Sequence, residues 1–147
     1  GYALKFGNVP PFEFLNYLSS IYSDNCDMLF FIDKHRSLYH RGIDGISTNV
    51  HQTVEYINKK TARHKYDNIV CMGVSAGGYG SILFGSLCRN ITHVVSFISP
   101  TIIRWPKDEK YRNLKKFINN STNYILYGDT SITPDTHPHH IVHPEFS

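Results

Sequence analysis

The sequence predicts an α/β fold, a three-layer α/β sandwich on a mostly parallel sheet of about five strands. Three observations predict it. Strand-like apolar runs alternate with segments of helical period along the chain. One run, Met28-Leu-Phe-Phe-Ile32, is apolar without a break, as a strand buried on both faces reads. A third stretch, Ile69 onward to Gly78, leads from an apolar strand through a glycine-flanked serine into a small-residue helix. The 147 residues suit one domain spanning 1–147, with an irregular tail from about 130 to 147. With 41% apolar residues the chain can build a core, which excludes a disordered protein.

The elements follow in order. Residues 2–6 end at Gly7 as a short strand would, and Pro10 with Pro11 opens a helix. In that helix Phe14, Leu15, Leu18, Ile21 and Tyr22 recur every three or four residues and form one apolar face. The run 28–32 is the next strand and ends at Asp33. A polar loop over 34–46 carries His35, Tyr39, His40 and Arg41. Ser47 or Thr48 caps a helix reaching about Arg63, with Val50, Val54 and Ile57 inward and a Glu55–Lys59 surface pair. Residues 68–74 form a strand, 77–88 a helix, and 92–98 a strand closed by Pro100. Asp108 starts a helix with Tyr111, Leu114 and Ile118 inward, ending at Asn119-Asn120. Residues 124–127 form the last clear strand.

Chemistry concentrates in Gly73-Val-Ser75-Ala-Gly77. A nucleophilic serine must stand clear of the sheet, so the chain turns sharply and holds it in strained backbone angles. Side chains two residues before and two after would collide there, which accounts for both glycines. The following helix aims its N-terminal N–H groups and dipole at the serine oxygen. Ala76 N–H is then one oxyanion donor. A second donor fits the Gly7 turn, through the N–H of Asn8, although the same segment also reads as a plain strand-to-helix turn. Gly78, Gly80 and Gly85 let the helix lie close to the sheet. A phosphate-binding loop would require Gly-Lys-Ser/Thr, which is absent.

A serine hydrolase also needs an acid and a base. Asp135 is the favoured acid, deep in the loop after the last strand, with Asp129 at the strand end as the alternative. The histidine is unplaced. His137, His139, His140 and His143 crowd the tail, with His137 and His140 as the candidates. A further crossover of about a dozen residues plus a strand of about five would be needed for the regular base. Twelve residues follow Asp135. The chain is therefore expected to be a fragment ending before its last helix and strand. Otherwise a tail histidine folds back, or the protein is no working hydrolase. His40 and His35 lie on a loop that opens at the same sheet edge as Ser75, where they line a substrate pocket or cap the loop. His51, His64 and His93 are read as structural. A metal at His137, His139 and His140 is disfavoured by Pro138 and the lack of a regular ligand spacing.

With these residues in place the chain resembles an α/β-hydrolase. More narrowly it is similar to microbial and giant-virus hydrolase-like domains found near surface-glycan genes. The resemblance rests on Phe6-Gly-Asn-Val-Pro-Pro-Phe-Glu-Phe14, Phe31-Ile-Asp33, Leu38-Tyr-His-Arg-Gly-Ile43, Met72-Gly-Val-Ser-Ala-Gly-Gly-Tyr79, Phe97-Ile-Ser-Pro-Thr101 and the Tyr127-Gly-Asp loop. It implies a Ser-Asp-His esterase-like site, with Ser75 as nucleophile and Asp135 as acid, acting on a small or glycan-borne ester without a cofactor. A non-catalytic binding module and an acyltransferase are the alternatives. Lys and Arg exceed Asp and Glu by 15 to 12 and are scattered, which argues against a nucleic-acid partner. No run of 18 apolar residues occurs, so no membrane span is expected. Three cysteines without Cys-x-x-Cys spacing read as reduced thiols, which fits the cytoplasm. Two glycosylation patterns, at Asn90 and Asn120, read as coincidence.

Overall fold

A computed structural model describes residues 14–22, 26–104 and 106–128. The described residues fall into two compact units, one up to Ile32 and one from Asp33. In the first, helix α1 spans Leu15–Tyr22. Its Leu18 N–H bonds Phe14 O at 2.8 Å, and Leu15, Tyr17, Ile21 and Tyr22 are exposed. Residues 28–32 form no strand, contrary to the sequence expectation. An unbroken apolar run records a demand for burial and says nothing of a ladder partner.

The second unit holds the sheet. Helix α2 (Val50–Thr61) precedes strand β1 (Val70–Val74), helix α3 (Ala76–Leu87), strand β2 (His93–Phe97) and strand β3 (Asn123–Tyr127). All three strands run parallel in the order β1-β2-β3, with Val74, Phe97 and Tyr127 in register at their carboxyl ends. This is an α/β fold with three sheet strands among the described residues, where about five were expected.

Helix α3 packs on β1 and β2, and everything from Gly78 to Gly85 is buried. A helix apolar all round belongs in the interior. Tyr79, Ile82 and Leu83 are wholly enclosed, as are Val94 on β2 and Leu114. Each such side chain contributes about 1.5–3 kcal/mol by leaving water. Two glycines set the approach of helix to sheet. A Cβ on Gly85 would lie 2.1 Å from Val94 Cγ2, and one on Gly78 would lie 2.6 Å from Ser96 Oγ. Gly80 has a different neighbour from the one expected: its Cβ would meet the Tyr39 ring at 2.7 Å, so it makes room for a loop.

Other differences have local causes. Neither Ser47 nor Thr48 caps α2; Asn49 does, accepting from Gln52 N–H at 3.0 Å. Ser47 Oγ is spent inside the loop, accepting from Ile43 N–H at 2.9 Å and lying 2.7 Å from Thr53 Oγ1. That bond turns Thr53 inward, where Val54 was expected, alongside Val50 and Ile57. Glu55 meets His51 at 3.2 Å in place of the expected Lys59 pair. The helix expected from Asp108 to Asn119 is two short 3-10 turns, Glu109–Tyr111 and Leu114–Phe117. Asn113 between them is extended and bridges to Ile102. Ile103 N–H bonds Arg112 O and Leu114 N–H bonds Thr101 O, so neighbouring backbone takes the groups that an α-helix would need. Tyr111 and Leu114 still point inward as the periodicity requires.

Candidate active site

Ser75 stands where β1 becomes α3. Its backbone has φ 53° and ψ −117°, in the left-handed half of conformational space, and its hydroxyl does not cap the helix. For a non-glycine residue such angles cost about 1–3 kcal/mol and persist only where the surroundings enforce them. The enforcement is visible on both sides. Ser75 N–H donates to Phe97 O at 2.9 Å, extending the β1–β2 ladder one residue beyond the strand. Ser75 O accepts from Tyr79 N–H at 2.9 Å, closing the first turn of α3. The serine belongs to both elements and relaxes into neither.

Gly73 is the residue that permits this corner. A Cβ there would lie 2.3 Å from the carbonyl carbon and oxygen of Gly77 and 2.8 Å from Gly78 N. Those are backbone atoms and cannot swing away. Gly77 differs from the sequence expectation: a Cβ on it meets nothing within 4 Å. The turn is crowded on the strand side only. Ala76 is the first residue of α3, so its N–H has no carbonyl one turn earlier to bond, and the helix dipole places partial positive charge beside the serine.

The loop between the two units' boundary and α2 is organised by Asp33. Its carboxylate accepts from Ser37 N–H at 2.7 Å, Tyr39 N–H at 3.0 Å and Ser37 Oγ at 3.3 Å. Those bonds hold Arg36, Leu38 and Tyr39 at positive φ. The loop delivers His40 into the interior, where it is 6% exposed. His40 Nδ1 accepts from Asp108 N–H at 3.1 Å, and Nε2 lies 2.8 Å from Tyr79 Oη. Tyr79 donates its one proton to Tyr111 O at 2.7 Å. Nε2 must therefore carry the ring hydrogen and Nδ1 must be bare. Both ring nitrogens are hydrogen-bonded within the fold. Burial lowers its pKa, opposed by the Asp108 and Asp33 carboxylates, and keeps the ring neutral.

Of the remaining candidates, His35 is exposed on the same loop, His51 lies on α2, and His93 starts β2 at the edge opposite Ser75. His64 sets its ring edge against Tyr66, with centroids 5.7 Å apart. Those two rings line a cleft of about 300 Å³ with Thr61, Ala62, Lys65, Ile69 and Asn90, also at the amino edge of the sheet and away from the serine. Gly7, Asn8, Asp129, Asp135, His137, His139, His140 and His143 lie outside the described residues. So does the first part of the helix opened by Pro10.

Two residues at the serine's edge escaped the sequence reading. Tyr79 ties α3 to both the His40 loop and the 108–111 segment, and only its position one turn after Ser75 hinted at it. Ile98 directly follows β2, has φ 47° and is 40% exposed; no sequence signal marks an isoleucine for such angles.

Among known proteins, no family model, no curated protein and no solved structure matches the chain.

Proposed function

We propose that the chain carries a serine hydrolase site of the α/β-hydrolase type, moving an acyl group from an ester to water through Ser75. One observation carries this reading: the φ 53°, ψ −117° backbone of Ser75 at the β1–α3 corner. A serine in an ordinary bend gains nothing from such strain. A nucleophile gains clearance from the sheet and a ring of N–H groups where an oxyanion would form.

In this scheme Ser75 Oγ attacks the ester carbonyl while a histidine takes its proton and a carboxylate orients that histidine. Ala76 N–H, with Asn8 N–H beside Gly7 as second donor, receives the oxyanion. The proton then passes to the leaving alcohol, and water repeats the sequence to free the acid. Asp135, or Asp129, serves as the carboxylate in the loop after β3. That strand lies two places from β1 in the sheet. His137 and His140 are the candidates for the histidine. Serine, imidazole and carboxylate hold every proton the reaction moves, so no cofactor is required. A small or glycan-borne ester is the substrate class, the glycan coming from the family resemblance alone. An alcohol in place of water would make the same site an acyltransferase.

Labelling with a fluorescent fluorophosphonate, read by intact mass and by gel, tests the reading. Wild type should gain one adduct on Ser75, and Ser75→Ala should gain none. A folded wild type that takes no label supports a non-catalytic binding module instead.

A further inference from the structure

We infer that the cleft at the amino edge of the sheet is a binding site for a small, hydroxylated phosphate monoester such as a sugar phosphate. The cleft measures about 300 Å³ and is lined chiefly by polar side chains, Thr61, His64, Lys65, Tyr66 and Asn90. That volume is at the lower end for small-molecule sites and suits one sugar-sized molecule. The cleft lies away from Ser75 and does not depend on the esterase reading.

The charge around it is one-sided. From Lys59 to Asn90 the chain has five Lys or Arg residues and one acid, Asp67, a net +4 where the whole chain carries +3. The fold draws the two ends of this stretch together. Arg89 N–H donates to Asn58 Oδ1 at 2.9 Å, and Asn90 Nδ2 donates to Thr61 Oγ1 at 3.3 Å. Lys65 lines the cleft, Arg63 lies between the lining residues Ala62 and His64, and Arg89 precedes Asn90. Among the described residues none of these three meets a carboxylate, and Glu55, one turn before Lys59, pairs with His51 at 3.2 Å. The carboxyl ends of α2 and α3 hold about half a negative charge each, which with Asp67 leaves about three positive charges unmatched.

Charge alone would take any anion, and the rest of the lining selects among them. A phosphate monoester brings up to about two negative charges at neutral pH, which answers such a surplus better than the single charge of a carboxylate. Thr61 Oγ1 is already spent, donating to Ile57 O at 3.0 Å and accepting from Asn90. That leaves Asn90 Oδ1 and the second hydrogen of its amide for the hydroxyls of a ligand. Ile69 and the rings of His64 and Tyr66 give the carbon face of a sugar an apolar surface. These walls are held in place: Ile69 N–H donates to Thr92 Oγ1 at 2.9 Å, and the two rings sit edge to face at 5.7 Å. A cleft prepared in this way loses little freedom on binding.

Calorimetric titration of the whole chain with glucose 6-phosphate, glucose and inorganic phosphate tests the inference, with circular dichroism to check that each variant folds. Glucose 6-phosphate should bind with a Kd of about 1 mM or tighter, and the other two at least about tenfold more weakly, since each lacks one part of the ligand. Lys65→Gln should weaken glucose 6-phosphate about tenfold, the loss of one charged hydrogen bond, while Lys65→Arg stays within about threefold. Lys107→Gln removes an equal charge beside Asp108, which is tied through His40 to the first turn of α3, far from the cleft. It should change affinity less than about twofold, because exposed charges beyond a Debye length are screened. A folded wild type that binds no glucose 6-phosphate overturns the inference, as does affinity untouched by Lys65→Gln. Equal affinity for inorganic phosphate, or an equal loss in Lys107→Gln, shows attraction by net charge alone and overturns it too. Ser75→Ala should bind as wild type does; a loss there puts the ligand at the serine, which sinks the cleft as its site.

Discussion

His40 shows how much one buried ring can bind together. Its two nitrogens join the loop after Asp33 to the backbone of Asp108 and, through Tyr79, to Tyr111. Only the neutral ring with hydrogen on Nε2 satisfies all of these bonds; a proton on Nδ1 would face the N–H of Asp108. Burial holds the folded pKa below the ordinary 6.5, with Asp108 and Asp33 pulling the other way. The unfolded chain therefore binds a proton that the folded chain refuses. Stability is fully present above about pH 6.5 and declines as pH falls below it, by at most about 1.4 kcal/mol per unit from this residue. Urea unfolding at pH 7.5 and 5.5 should show the loss in wild type. In His40→Gln this part of the slope should vanish, because an amide can both accept and donate without titrating. An unchanged slope in that variant would remove His40 as its source.

At the scale of elements, the β1–α3 corner depends on glycines that are not equivalent. Gly73→Ala forces a Cβ to 2.3 Å from Gly77 backbone, so the corner must open. We expect destabilisation of 2 kcal/mol or more, about the upper range for overpacking, with loss of Ser75 labelling. Gly77→Ala meets open space inside a helix, where alanine is favoured by about 0.8–1.0 kcal/mol. It should melt above wild type. Gly85→Ala drives into Val94 Cγ2, a side chain that can partly yield, and should cost about 1–3 kcal/mol. Thermal melts of the three variants give the order Gly77→Ala, wild type, Gly85→Ala, Gly73→Ala. The reverse order for the first and last would mean that the corner is built differently.

For the molecule as a whole, the two faces of the sheet differ. One carries Val94 and Ser96 beneath α3 and is sealed. The other keeps Val70, Met72, Ile125 and Tyr127 exposed, with Phe97 and Tyr127 stacked at 4.8 Å across the strands. Parallel sheets ordinarily have both faces covered, and this face carries four exposed apolar side chains. Met72→Lys and Ile125→Lys, at exposed positions, should change stability by about 0.5 kcal/mol or less. They should also lower binding of an apolar dye and raise solubility. A large loss of stability would show that these side chains are covered in solution. Among the described residues no helix is long and apolar enough to cross a membrane.

The sequence by itself determined the α/β class, the three parallel strands within two residues of their ends, helix α3 and the serine at its start. Those features are written in short-range patterns: apolar runs, a glycine two residues before a serine, small residues through a buried helix. It also named Tyr111 and Leu114 as inward, because side-chain period survives a change of helix type. Only the tertiary structure decided the rest. The helix expected after Asp108 broke because Thr101 and Ile103 claimed its backbone groups, and the cap moved to Asn49 because Thr53 claimed Ser47. His40 went inward because Tyr79 and Asp108 offer partners 39 and 68 residues away. A local pattern records what a segment prefers, whereas a long-range hydrogen bond depends on which distant groups arrive. No window along the chain contains that information.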